Sequence, residues 1–171
     1  MILLITMDNF SVLISVYEKD DVNQFKSALD SIFQNTIKSK DVVLIVDGPV
    51  KKNLKNIINI FKKKYHVLNV HYLTHNKGLA NALNIGLRLC KYNIVFRADA
   101  DDINKHDRFK KQLLVMNKGY DLVGSWIDEF NGDSYISTRK VPEKNKEIYR
   151  LARFRSPLNH QTVCFLKDKI N

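Results

Sequence analysis

Phe10-Ser11-Val12-Leu13-Ile14-Ser15-Val16-Tyr17 is a run of β-branched, aromatic and aliphatic residues, and the segment opened by Asp20-Asp21 places apolar residues at Val22, Phe25, Leu29, Ile32 and Phe33. The first run has the composition of a strand, and the second has the three- and four-residue spacing of a helix with one buried face. The pair recurs. Val42 to Val46 is a second apolar run ending at Asp47-Gly48-Pro49, and Leu54, Ile57, Ile58 and Phe61 mark a second amphipathic helix. Val67 to Leu73 predicts a third strand. Gly78 to Cys90 predicts a third helix, with Leu79, Ala82, Leu83, Gly86, Leu87 and Cys90 on its buried side. Asn93 to Arg97 predicts a fourth strand, followed by a helix carrying Phe109, Leu113 and Met116. After Asn117 the alternation weakens. Asp121 to Phe130 and Ser134 to Lys140 predict strands joined by a turn at Asn131-Gly132-Asp133, Glu143 to Phe154 a basic helix, and Thr162 to Leu166 a last strand.

Continuously apolar strands alternating with helices predict an α/β fold with a mainly parallel central sheet flanked by helices on both faces. In such sheets the ligand sits beyond the carboxyl ends of the strands. Tyr17-Glu18, Asp47-Gly48, Asn76-Lys77-Gly78 and Asp99 to Asp102 all fall at those ends, so four loops distant in sequence are expected to converge on one crevice.

The sharpest chemical signal is Asn93-Ile94-Val95-Phe96-Arg97-Ala98-Asp99-Ala100-Asp101-Asp102, an apolar run that ends in three carboxylates within four positions. Like charges this close repel, and an ionised carboxylate resists burial without a counter-charge, so the cluster suits a hard divalent cation. Mg²⁺ and Mn²⁺ prefer oxygen ligands and are commonly shared with substrate phosphates. The plainer alternative is a solvated acidic turn that caps the next helix. A calcium loop is excluded. Counted from Asp99, the sixth position is Asn104 where Gly is required, and the twelfth is Lys110 where Glu is required.

Three further positions admit two readings each. Asp47 can accept a hydrogen bond from a base or ribose, or simply stabilise its Asp-Gly-Pro turn. At His75-Asn76-Lys77-Gly78, free helix amides and Lys77 can meet a diphosphate, or Asn76 can cap the helix. His160, between Asn159 and Gln161, is either structural or a partner for metal or phosphate. Neither Gly-x-x-x-x-Gly-Lys nor Gly-x-Gly-x-x-Gly nor Gly-x-Ser-x-Gly occurs, which argues against P-loop hydrolysis, dinucleotide redox chemistry and an α/β-hydrolase.

At 171 residues with 44% hydrophobic content, one domain is expected. The 28 basic against 18 acidic residues give a net charge of +10, which favours anionic partners such as nucleotides or lipid headgroups. The lysine runs at Lys51-Lys52, Lys62-Lys63-Lys64 and Lys110-Lys111 read as solvated helix faces, and no nucleic-acid motif accompanies them. Cys90 and Cys164 lie far apart, outside any zinc spacing, and are expected to be reduced core residues of a cytoplasmic protein. Met1 to Met7 is apolar but too short for a membrane span, and is expected to pack locally or fray.

Taken together and in order, Ser15-Val16-Tyr17, Val46-Asp47-Gly48-Pro49, Asn76 to Asn84, Arg97 to Asp102, Arg108-Phe109-Lys110-Lys111-Gln112 and Ser156 to Val163 resemble the inverting family 2 glycosyltransferases of the GT-A fold, notably bacterial enzymes of surface-polysaccharide biosynthesis. That resemblance implies a Rossmann-like domain over 1–171 that binds a nucleotide-sugar, with uracil the usual base and a UDP-sugar the expected donor. It implies that Val16 and Tyr17 line the nucleotide pocket and that Asp47 recognises the base. Asp99 would lie near the ribose and the metal shell, and Asp101 would ligate Mn²⁺ or Mg²⁺. Lys77 and His160 would belong to the diphosphate region. The acceptor implied is a glycan or lipid-linked glycan, at the inner face of an anionic membrane and with no nucleic-acid partner. The family's base, often the Asp of a Glu-Asp pair, normally follows the segment matching Asn159 to Phe165. No Glu-Asp pair occurs in the chain, so the base is expected beyond Asn171, with Asp102 and His160 the candidates inside it. On that expectation the 171-residue chain binds donor but transfers sugar at least roughly 100-fold more slowly than a version extended through such a pair.

Overall fold

A computed structural model of the chain describes residues 9–132 and 134–170. Met1 to Met7, and the Asp133 of the expected hairpin turn, lie outside the described residues. Four strands and four helices alternate first: β1 (Phe10–Val16), α1 (Val22–Phe33), β2 (Asp41–Val46), α2 (Lys52–Lys64), β3 (Leu68–Tyr72), α3 (Leu79–Leu89), β4 (Ile94–Ala98) and α4 (Arg108–Met116). There follow β5 (Leu122–Val123), β6 (Ile127–Asn131), β7 (Ser134–Arg139), α5 (Asn145–Ala152), a 3-10 turn at His160–Thr162 and β8 (Cys164–Leu166).

The main sheet has the order β3-β2-β1-β4-β8-β5. β1 is parallel to β2 and β4, and β2 to β3, whereas β8 runs antiparallel to both β4 and β5. Strand order therefore reverses between β1 and β4, the place where such sheets open a crevice at their carboxyl ends.

Strand alternation divides the core between the two faces. Phe10, Val12, Ile14 and Val16 join Phe25 and Leu29 of α1, Leu54 and Ile58 of α2, and Phe109 of α4 in one cluster. Leu13, Val43, Ile45 and Val95 point the other way, onto Ala82 of α3 and Cys90. α1 starts where Asp21 accepts bonds from the amides of Asn23 (2.8 Å) and Gln24 (2.9 Å), groups that have no partner inside the helix. α3 lies so close to the sheet that a Cβ on Gly86 would fall 2.3 Å from Leu13 Cδ1 and 2.9 Å from Ile45 Cγ1. At the amino ends of the strands the fully buried Asp41 accepts from Ser11 Oγ (2.6 Å), Asn69 Nδ2 (2.9 Å) and the Lys91 amide (2.9 Å), which satisfies the charge away from water. Cys90 and Cys164 are free and buried, and burial pushes each thiol up to about 12.

One predicted strand is divided. Asp121 to Phe130 splits at Gly124-Ser125-Trp126, so that β5 joins the main sheet while β6 pairs only with β7. The cause is side-chain competition for the backbone. The Ser125 amide donates to Thr162 Oγ1 (2.9 Å), and the Ser125 carbonyl accepts from Asn159 Nδ2 (3.0 Å) and Thr162 Oγ1 (3.2 Å). The last predicted strand is shortened for the same reason, because Thr162 belongs to the 3-10 turn that makes these bonds. The basic helix is likewise shorter than Glu143 to Phe154, at Asn145–Ala152.

Candidate functional site

β1 and β4 end side by side, and their following loops bring the acidic groups together. One oxygen from each of Asp99, Asp101 and Asp102 lies within 4.8 Å of the others. Asp101 is exposed, while Asp99 and Asp102 are half-buried. Burial, then the charges of Asp101 and Asp99, push the Asp102 carboxyl up to about 6. Burial also raises Asp99, opposed by the Arg97 guanidinium. The carboxyl of Asp20, in the β1–α1 loop, is raised by its own burial and by the charges of Asp101 and Asp99, and accepts from the Tyr17 amide at 2.9 Å. The loop that carries Tyr17 thus places a fourth carboxylate within reach of the acidic cluster's charge.

Arg97 is the counter-charge beneath this group. Val95, Arg97 and Asp99 alternate along β4, which aims an arginine at a position where the pattern calls for an apolar residue. Its side chain is 5% exposed and its Nη2 meets Asp99 Oδ1 at 2.6 Å. Its Nε and Nη1 are buried with no hydrogen-bond partner among the described residues. Arg108 braces the same loop from α4: Nη2 donates to the Arg97 carbonyl (2.8 Å), Nε to Gln112 Oε1 (2.9 Å) and Nη1 to Asn104 Oδ1, with the guanidinium 5.8 Å from the Phe96 and Phe109 ring centres. Burial lowers Arg108 to about 10, so it stays charged near neutrality. Gln112 extends the brace, with Nε2 donating to the Thr162 carbonyl at 2.7 Å. The adjacent His160 is lowered by burial and then by Arg97, with Asp99 opposing, which puts its ring beside the same charges.

The second half of the crevice is built on β2 and β3. Asp47 is 4% exposed, and its Oδ1 accepts from the Lys77 amide at 2.7 Å. Its own amide donates to the Val16 carbonyl at 2.8 Å, which joins the end of β1 to the start of the β2–α2 loop. Asn76 does not cap α3. Its Oδ1 accepts from the Gly78 amide (2.9 Å), and Gly78, at φ +82°, occupies the cap position with no side-chain bond to the helix amides. Lys77 and Tyr17 are exposed. The four expected loops therefore form two linked groups at one sheet edge. A cavity of about 640 Å³ lined by Val123, Trp126, Ile148 and Leu158 lies elsewhere and takes no wall from the acidic loop; convergent charge, rather than hollow volume, marks the candidate site.

A divalent cation fits these donors. Three oxygens within 4.8 Å, all from carboxylates, form a hard-ligand set, and the two arginines Arg97 and Arg108 still leave three acidic groups against two basic ones.

Residues 11–170 match Glycosyl transferase family 2 along nearly their whole length. The chain belongs to that family. It is 39% identical over 166 residues to the UDP-Gal:alpha-D-GlcNAc-diphosphoundecaprenol beta-1,3-galactosyltransferase of Escherichia coli, covering 94% of this chain and 59% of that protein. It is 37% identical over 163 residues to the amylovoran biosynthesis glycosyltransferase AmsE of Erwinia amylovora, covering 94% of this chain and 61% of that one. The chain thus spans about three-fifths of the length of these relatives. Its fold matches S. aureus TarS 1-349 in complex with UDP-GlcNAc with a TM-score of 0.72 at 19% identity, over 94% of this chain and 46% of that one. It also matches the mannosyltransferase PcManGT of Pyrobaculum calidifontis in complex with GDP-Man and Mn²⁺, with a TM-score of 0.64 at 16% identity, over 94% and 45% of the two chains. The α/β architecture with a mainly parallel six-stranded sheet is the GT-A fold expected from the sequence. Among the described residues no helix is long and apolar enough to cross a membrane.

Proposed function

We propose that residues 1–171 form the donor-binding domain of an inverting, metal-dependent glycosyltransferase of bacterial polysaccharide biosynthesis, taking a UDP-sugar and a glycan or lipid-linked glycan acceptor. The observation that carries this reading is the group Asp99, Asp101 and Asp102 over buried Arg97, at the strand-order reversal of a family 2 fold. The galactosyl relative, named for a UDP-sugar and a diphosphoundecaprenol-linked acceptor, supports the choice of donor and acceptor class.

Asp101 and Asp99 would hold Mn²⁺ or Mg²⁺, with Asp102 beside them. Bound there, the cation supplies charge neutralisation for the departing nucleoside diphosphate. Arg97 opposes the upward pull of burial on the Asp99 carboxyl and holds it at 2.6 Å from its Nη2. Asp47 has one oxygen committed to the Lys77 amide, which leaves the other for a base N–H. Val16 and Tyr17 form the wall between base and ribose, and Lys77 and the ring of His160 face the diphosphate region. Of the described residues, Asp102, with its carboxyl near 6, and His160 are the groups able to take a proton from an acceptor hydroxyl.

The test is thermal unfolding of the 171-residue chain with UDP, with Mn²⁺ and with both, followed by transfer assays with UDP-hexoses and a lipid-linked acceptor. Stabilisation is expected only with nucleotide and cation together. Equal stabilisation by UDP in excess EDTA refutes the cation site, and stabilisation without transfer marks a domain that binds donor alone.

A further inference from the structure

α5 is amphipathic, yet none of its residues is fully buried. Ile148 and Leu151 lie half-buried on one side. The other side carries Lys146, Tyr149, Arg150 and Arg153 at i, i+3, i+4 and i+7, a single stripe along the helix and its C-cap. Tyr149 is 76% exposed, and Phe154, just past the helix end, is 83% exposed. Lys144 and Arg155 flank the stripe, so residues 143–155 hold five basic groups against Glu143 and Glu147. None of the five forms an ion pair with a described residue. A hollow of about 340 Å³ opens beside them, lined by Pro142, Glu147, Arg150, Leu151 and Phe154.

We infer that α5 and the turn after it are a docking surface for an anionic phospholipid bilayer. Exposed cations would meet lipid phosphates while Tyr149 and Phe154 enter the headgroup boundary, a combination of charge and apolar area typical of helices that lie in a membrane interface. Duplex DNA, with its bases stacked inside, would engage the cations but leave the 83%-exposed Phe154 ring without an apolar partner. The position is apt, because only four residues separate Arg155 from His160 and the docked helix would hold the crevice close to the lipid surface. The inference deepens the lipid-linked acceptor of the proposed function and rests on it for its purpose, though its observations are independent of donor binding.

The test is co-sedimentation of the 171-residue chain with vesicles of phosphatidylcholine alone, and of phosphatidylcholine with phosphatidylglycerol as minority lipid. Binding is expected only with phosphatidylglycerol, strong at about 0.1 M salt and lost near 1 M, where the Debye length falls from about 10 to about 3 Å. Each basic residue at an anionic surface contributes roughly a five-fold factor, so Arg153→Glu/Arg155→Glu should weaken partitioning at least about 25-fold. Phe154→Ser should weaken it about 10-fold through lost apolar burial. Lys62→Glu/Lys63→Glu on α2 makes the same change in net charge and should leave binding within about two-fold of wild type, since the stripe is distant in sequence and carried by another helix. Thermal melts with UDP and Mn²⁺ monitor the fold and donor site of every variant, so loss of lipid binding and failure of the donor reading are separately visible. Binding to neutral vesicles, equal loss in the α2 variant, retained binding in both α5 variants, or tighter binding to duplex DNA at the same salt would each overturn the inference.

Discussion

Replacing Asp101 with Asn removes one of three negative charges whose oxygens lie within 4.8 Å of one another. At pH 8 the Asp102 carboxyl is ionised, because its raised value of about 6 is still well below the solution pH. Two unit charges at 4.8 Å repel by about 0.9 kcal/mol in a water-like dielectric and by about 3.5 kcal/mol at an effective dielectric of 20. Asp101 is exposed, so the lower figure applies, and the substitution relieves two such pairs. Lost attraction to Arg97 offsets part of that relief, leaving a gain of about 1 kcal/mol in the metal-free protein. For a domain of this size the unfolding midpoint should rise by about 2–4 °C. Salt at about 0.1 M does not erase the effect, since the Debye length exceeds the separation. With UDP and Mn²⁺ at about 100 times the dissociation constant, wild type should gain roughly 2.7 kcal/mol, and Asp101→Asn far less. The variant therefore starts above wild type and finishes below it. Differential scanning fluorimetry in EDTA and in Mn²⁺–UDP reads both limbs. A variant that melts below wild type in EDTA, or that keeps the wild-type gain with Mn²⁺–UDP, refutes the cluster as a crowded cation site.

The raised Asp102 carboxyl binds its proton more tightly in the folded chain than in the unfolded one, so its contribution to stability is present at low pH and is lost as pH rises through about 6. Denaturant titrations at pH 5 and pH 8 should show that wild type minus Asp102→Asn loses stability across this window; a flat difference contradicts the assignment. Asp47→Ala should weaken UDP by about 1.5–3 kcal/mol in calorimetry while leaving affinity for free Mn²⁺ unchanged, and equal binding of UDP, GDP and ADP by wild type removes the basis for it. Gly86→Ala gains about 1 kcal/mol of helix propensity but forces a Cβ to within 2.3 Å of Leu13 Cδ1, so a net loss of about 1–2 kcal/mol is expected, and an unchanged midpoint would show that α3 can retreat.

Elements buried on both faces were the most legible in the sequence. β1, β2 and β4 are nearly unbroken apolar runs because the sheet is covered on two sides, and α1 announces itself through Asp21. What local pattern could not carry was structure fixed from a distance. The break at Gly124 to Trp126 depends on Asn159 and Thr162, more than thirty residues downstream. Asn76 looks like a cap, but the Lys77 amide is claimed by Asp47 from another loop, and the helix begins later. The acidic cluster was visible from its charge density alone. Arg97 and Arg108 stood in the same motifs, and an arginine between Val95 and Asp99 in a buried strand was the available signal. Its meaning as a counter-charge appears only in the structure, where its buried Nη2 meets Asp99 Oδ1 at 2.6 Å.

Gly48 lets the β2–α2 and β3–α3 loops approach closely. At φ +87° it has no side chain, and a Cβ there would sit 2.6 Å from the Asn76 amide and 3.0 Å from the His75 carbonyl carbon. With Asp47 bonded to Lys77 next door, the β2–α2 and β3–α3 loops behave as a single rigid jaw. On the proposal that Asp47 contacts the base, grafting a relative's Asp47 loop would drag the Lys77 loop with it, so an exchange of donor specificity would require both loops to be transplanted as one unit.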